Sequence, residues 1–205
     1  MMLNKVLTIG HSTHDIATFC RLLRQSGVTA VADVRSVPVS RFAPHFNRDA
    51  LNRSLAEAGI KYVFMGKQLG ARTDDTDCYV DGRVQYDRLS QTPEFNCGIE
   101  RLLDGMQREG IAIMCAEREP LDCHRTVLVA RVLAERGIRI DHIHADGHIE
   151  SHAMAMQRLM AKFGLAEADL FHSRAELLEE ALIRQEHRIA YVNESLRVGD
   201  GAYPT

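Results

Sequence analysis

The residues able to do chemistry gather in three short stretches of this 205-residue chain. They are Gly10-His11-Ser12, then Asp33-Val34-Arg35 with Arg41 further along, and then Cys115-Ala116-Glu117 followed by Asp122-Cys123-His124-Arg125. Cys115 or Cys123 supplies a candidate nucleophile, and His11, His124 or Glu117 a candidate proton carrier. Arg35, Arg41 and Arg125 are candidate anion holders beside Gly10, Ser12 and Asp33, because a guanidinium presents a flat fork of donors to a phosphate or carboxylate. Asp122 is placed to cap a helix, which puts Cys123, His124 and Arg125 in its first turn. A thiol there should have a lowered pKa, and an Arg there makes sense if an anion lies between it and the helix N-terminus. Asp33 ends an apolar strand and needs a partner. Either it forms an ion pair with Arg35 or Arg41 that fixes the loop, or the three line a cleft.

Metal binding is the competing chemistry. Cys115, Glu117, Cys123 and His124 offer a zinc-type donor set, although C-x7-C is not a usual ligand spacing. Four histidines fall in the eleven residues from His142 to His152, but no H-E-x-x-H is present, and His142 and His144 alternate along a strand. The acidic stretch with Asp74, Asp75, Asp77 and Asp81 does not match an EF-hand and reads as a lid or surface loop. No metal or cofactor is therefore expected.

Elements must bring the three stretches together. Val6-Leu7-Thr8-Ile9 reads as a buried strand, and Ser12 or Thr13 as the cap of a helix running to about Ser26. Residues 29–34 form a second strand, 48–58 a helix, 61–65 a third strand and 66–85 a loop. A helix is expected over 93–108, a strand over 111–115, a helix over 123–136 and a strand over 138–143. This alternation predicts an α/β fold with an open, mostly parallel sheet covered by helices on both faces, a Rossmann-like layout. Ligands bind such sheets beyond the carboxyl ends of the strands, where all three stretches lie. Residues 152–190 read as mostly helical, with Leu170, Phe171, Leu177, Leu178, Leu182 and Ile189 on one side, and the last dozen residues as a loose tail. The expected division is an α/β domain over 1–164 and a C-terminal helical extension with tail over 165–205. The extension is either a flap on the core or the arm of a homodimer.

With these motifs in view, the chain resembles the domain of unknown function 488 (DUF488) family, small bacterial and archaeal proteins. The resemblance rests on Thr8-Ile9-Gly10-His11-Ser12, on Asp33 through Arg41 (Asp-Val-Arg-x-x-Pro-x-Ser-Arg), and on Cys115 through Arg125 (Cys-x-Glu-x-x-Pro-x-x-Cys-His-Arg). It continues through Leu69-Gly70 to His142-Ile143, Asp146-Gly147 and His152, covering roughly residues 6–160, with Ala71 where relatives often carry a second glycine. It implies an α/β sheet with the three motifs around a shared cleft, and it supplies no established reaction. In layout alone the chain is also similar to rhodanese and the Cys-based phosphatases, but Cys115 and Arg125 lie ten positions apart, where the phosphatase loop has five residues between its Cys and Arg.

Composition narrows the partners. A net charge of −3 argues against broad nucleic-acid coating. Of the 25 basic residues 21 are Arg, most of them at helix-face positions where genome composition explains them, so only Arg35, Arg41 and Arg125 point to a ligand. The five cysteines are an odd number without CxxC pairing, which suits reduced thiols. With neither a signal peptide nor a bilayer-length apolar run, a cytoplasmic location is expected. Walker, G-x-G-x-x-G, G-x-S-x-G and P-C-x-x-C motifs are all missing. The reading is an enzyme, a thiol-dependent transferase or hydrolase, acting on a small anionic ligand or nucleotide. The alternatives are a non-catalytic module that binds a nucleotide or a nucleic-acid end, and a metal-dependent hydrolase.

Overall fold

The computed structural model describes residues 5–165 and 171–197. Its strands are β1 (Lys5–Gly10), β2 (Ala30–Asp33), β3 (Lys61–Phe64), the short pair β4 (Tyr79–Val80) and β5 (Arg83–Val84), β6 (Ile111–Cys115), β7 (Arg139–Ile143) and β8 (Ile149–Ser151). Six of them form one sheet in the order β3-β2-β6-β1-β7-β8, parallel except for the antiparallel edge strand β8. The fold is thus α/β with a mostly parallel sheet, as the alternation of apolar runs predicts.

Neighbouring side chains of a strand point to opposite faces, so the apolar central strands need cover on both sides. Leu7, Ile9, Val31, Ala112 and Met114 pack with Phe19, Leu22 and Leu23 of α1 (Ile16–Gln25), with Leu51 and Leu55 of α2 (Arg48–Glu57), and with Phe46. Val6, Ala30, Ala32 and Ile113 face the other way. They join Phe95, Ile99 and Leu102 of α5 (Pro93–Met106), Val127 of a π-helical turn Arg125–Ala130, and Leu133 of α6 (Arg131–Glu135), which continues that turn. Leu159 of α7 (His152–Lys162) and Leu177 and Leu182 of α8 (Arg174–Ile189) complete this second core. The apolar side of α8 is therefore buried inside the chain, while Phe171 is exposed; Leu170 and the expected tail with Gly199, Gly201 and Pro204 lie outside the described residues.

Several elements differ from the sequence expectation. The cap of α1 is Asp15, whose carboxylate accepts from Thr18 N at 2.7 Å. Ser12 cannot cap it because its backbone still follows β6, with φ +48° and its N–H on Ala116 O at 2.9 Å. The segment 66–85 is largely structured, with α3 (Gly66–Leu69), a 3-10 turn at Thr76–Cys78 and the β4-β5 pair, and a further helix, α4 (Tyr86–Gln91), follows directly. Residues 152–190 break into two helices, and β8 is a strand too short for its pattern to show in the sequence. Asp122 caps nothing. It ends a 3-10 turn, and its carboxylate accepts from Lys162 Nζ at 3.0 Å and Gln185 Nε2 at 2.9 Å.

Candidate active site

Register places the motif residues in one row. In the sheet Gly10 pairs with Cys115 and Asp33 with Met114, so β1, β6 and β2 end side by side. The ladder continues past the strands: His11 N donates to Cys115 O at 2.9 Å, and Val34 N to Met114 O at 3.0 Å. This closeness requires Gly10, since a Cβ there would lie 1.9 Å from Glu117 O. Gly10 thus makes room for the loop after β6 rather than bordering the cleft.

Asp33 and Arg35 form a buried ion pair, with Arg35 Nε on Oδ1 at 2.9 Å and Nη2 on Oδ2 at 2.6 Å. Tyr62 Oη also donates to Asp33 Oδ2 at 2.7 Å, and Arg35 Nη2 donates to Phe46 O at 2.9 Å. The loop-fixing alternative therefore describes this pair, although Arg35 still borders the cleft. His11 is a support beneath it. Arg35 Nη1 donates to His11 Nε2 at 3.3 Å, which leaves the imidazole proton on Nδ1, donated to Ser12 O at 3.0 Å. The ring stacks on Phe46 at 4.3 Å, and burial lowers its pKa to about 4, so it is neutral near pH 7.

The two thiols and His124 converge. His124 Nδ1 lies 3.7 Å from Cys115 Sγ and 3.9 Å from Cys123 Sγ, and the three donor atoms fall within 4.8 Å of one another. His124 Nε2 is 3.1 Å from Val34 O. A carbonyl only accepts, so Nε2 carries a proton and Nδ1 faces the sulfurs. Burial would lower the His124 pKa, but the hydrogen bond and charge of Cys123, with Glu117 and Val34 O, raise it. Cys123 Sγ also contacts Glu117 Oε2 at 2.9 Å and accepts from Arg125 N at 3.4 Å. Burial alone would raise the Cys123 pKa, but the hydrogen bond with Cys115, the Arg125 charge and His124 together hold it well below the usual thiol value. Cys115 is pushed the other way, by its hydrogen bond to Cys123 and by burial. Glu117 is exposed as a residue but turns its carboxyl inward, where burial and Cys123 raise its pKa.

These groups line a cavity of about 220 Å³, below the roughly 300–1,000 Å³ usual for ligand pockets. Its lining comes from Arg35, Ser36 and Val37 after β2, from Cys115 to Glu117 and Asp122 to His124 at the end of β6 and after it, and from Ala71, Arg72, Tyr86, Ile189 and Tyr191. A larger cavity of about 610 Å³ shares Tyr86 with it, but is lined by Asp75, Asp77, Asp87 and Glu135 and holds neither His124 nor the paired thiols.

Two expected anion holders stand elsewhere. Arg41 is exposed with its guanidinium 4.8 Å from the Phe42 ring centre, and it does not border the cavity. Arg125 is fully buried and turns back into the protein: Nη1 donates to Glu117 O at 2.8 Å, holding the loop that carries Glu117. Ser12 likewise serves the loop through its N–H to Ala116 O. The sequence reading missed Arg72, whose guanidinium lies 4.5 Å from the Tyr191 ring centre. Among the described residues no carboxylate forms an ion pair with it. No local pattern marks Arg72 or Tyr191, because they meet only through the packing of α8.

The family model described as "Domain of unknown function DUF488" matches residues 15–132, a span that leaves out Thr8 to Ser12 and His142 to His152. No curated protein and no solved structure matches the chain. Over half of the sequence, including the Asp33-to-Arg41 and Cys115-to-Arg125 motifs that build the cleft, falls within the match, and the chain belongs to the DUF488 family.

Proposed function

We propose that the cleft is the active site of a thiol-dependent transferase or hydrolase acting on a small anionic substrate, phosphate- or sulfur-bearing, with Cys123 as nucleophile. One observation carries this reading: Cys123 Sγ meets a carboxyl group, an imidazole nitrogen and a backbone N–H at the edge of a cavity that two arginines border. Arg72 supplies the cation for the substrate, because Arg35 is already matched by Asp33. Cys123 sulfur forms a bond to the electrophilic atom while the bond to the leaving group breaks. The leaving group takes the proton shared by Cys123 and Glu117. Water or an acceptor nucleophile then releases the bound fragment from sulfur, and its proton returns to Glu117 or His124.

The cavity volume favours a small metabolite or the reacting end of a larger one. Limited iodoacetamide labelling of the reduced protein below pH 8, read residue by residue by mass spectrometry, tests the assignment. Cys123 should label faster than the exposed Cys97, and inorganic phosphate or sulfate should slow Cys123 alone. Equal, slow labelling of all five cysteines would overturn it.

A further inference from the structure

We propose that Cys115, Cys123 and His124 also form a binding site for a thiophilic divalent cation of the zinc class. The argument is geometric. With metal–sulfur bonds of about 2.3 Å and metal–nitrogen bonds of about 2.0 Å, tetrahedral sulfur and nitrogen ligands lie roughly 3.5 Å apart. The two sulfur-to-Nδ1 separations here are 3.7 and 3.9 Å, so small shifts close the set around an ion.

The orientation of His124 is already that of a ligand. Its Nε2–H is held by Val34 O, the outer contact that metal-bound histidines ordinarily make, and this turns Nδ1 toward the two sulfurs. Val34 is fixed in turn by its N–H on Met114 O. Arg125 N–H offers a second outer contact, to Cys123 Sγ. Two sulfurs and one imidazole select a soft or borderline ion over magnesium or calcium, which prefer oxygen. Cys20, Cys78 and Cys97 are not in the cluster.

Binding is an exchange without redox change. The ion takes an electron pair from each sulfur, the two thiols lose their protons to the buffer, and the two thiolate charges offset the ion. Cys115, Cys123 and His124 border the cavity together with Glu117, whose Oε2 lies 2.9 Å from Cys123 Sγ, so the cavity leaves room for a fourth ligand. Once a metal holds the Cys123 electron pair it is no longer free to attack a substrate, so the ion is an off-switch for thiol chemistry. That consequence rests on the reading of Cys123 as nucleophile; the metal site itself does not.

The test is titration of the reduced, chelator-stripped full chain with Co2+. The expected result is one ion per chain, with tetrahedral d–d absorption and sulfur-to-cobalt charge transfer that Zn2+ abolishes. Cys115→Ser and Cys123→Ser should each weaken binding by more than about 100-fold, beyond the effect of losing an outer contact, and Cys97→Ser should leave it unchanged. Should a serine variant misfold, wild-type protein gives a second readout: Zn2+ should protect Cys115 and Cys123 but not Cys97 from alkylation. Missing charge transfer together with missing protection overturns the metal site. Selective labelling of Cys123 in that case leaves the thiol enzyme standing. Tight Co2+ binding with Cys123 no faster than Cys97 in stripped protein upholds the metal site and removes the nucleophile.

Discussion

Arg35 shows how one side chain can be recruited by the fold before any ligand arrives. Its guanidinium satisfies both Asp33 oxygens and Phe46 O, and a charge buried in this way is tolerated because it is paired and hydrogen-bonded. Removing one partner strands the other. Asp33→Asn should cost about 3–5 kcal/mol in urea unfolding. The double change Asp33→Asn, Arg35→Met should cost less than the single one, since it leaves no unpaired charge. If Asp33→Asn unfolds at the wild-type urea midpoint, the pair is not what holds the loop after β2. Arg125 makes the same point from the other side: its position beside two thiols suggests a ligand contact, and the structure uses it to hold the carbonyl of Glu117.

Elements set the cleft's shape as much as the motifs do. The loop after β6 reaches Cys123 through a 3-10 turn, and α8 clamps that turn through Gln185, fully buried, with Nε2 donating to Leu121 O at 2.8 Å and to Asp122 Oδ1 at 2.9 Å. The chain leaving α8 then runs alongside β5, with Val84 N on Tyr191 O at 3.0 Å, and sets Tyr191 beneath Arg72. A helix beyond the matched family span therefore builds a wall of the cavity. Gln185→Ala should cost about 1–3 kcal/mol by stranding the Leu121 carbonyl. Amide exchange should quicken in residues 119–124 ahead of β1 and β6. Uniform quickening across the sheet would show instead that the clamp acts on the whole fold.

The molecule as a whole carries several buried neutral imidazoles, on both sides of the sheet. His11 has a pKa of about 4, lowered first by burial, among Arg35, Asp33 and His45. His142 lies at about 3, again chiefly through burial, with His152, Arg125, Glu150 and His144 around it and Thr8 Oγ1 on its Nδ1 at 2.8 Å. His152 is lowered by burial to about 4, with Glu150 opposing. All three folded values lie below the ordinary 6.5, so between about pH 6.5 and 4 the unfolded chain takes up protons that the native one refuses. Their stabilisation is complete above pH 6.5 and is lost as pH falls through the folded values. The slope is up to about 1.4 kcal/mol per pH unit for each imidazole. Glu117 and Glu186, raised by burial, act in the opposite sense and soften it. Urea midpoints from pH 7.5 to 4.5 should fall steadily below 6.5, and His142→Gln should flatten the curve. A midpoint constant down to pH 5 would rule this out.

Periodicity and punctuation made much of this protein legible in its sequence. Apolar runs of strand length, amphipathic helices and glycines at their ends are local signals, and they sufficed for a mostly parallel sheet covered on both faces. The motif ends had to meet because parallel strands deliver their carboxyl ends to one rim, and Gly10 opposite Cys115 is that rule in register. The roles of individual polar side chains were not local. Whether Arg35 faces a ligand or Asp33, and whether Arg125 points into the cleft or back to Glu117, depends on which carbonyls and carboxylates lie nearby after folding. The same holds for Arg72 on Tyr191, brought together from distant parts of the chain by α8. A residue's type limits the bonds it can form; only the packed chain decides which partner is within reach and already desolvated, and that choice separates the thiols and His124 of the cleft from the arginines and His11 that support it.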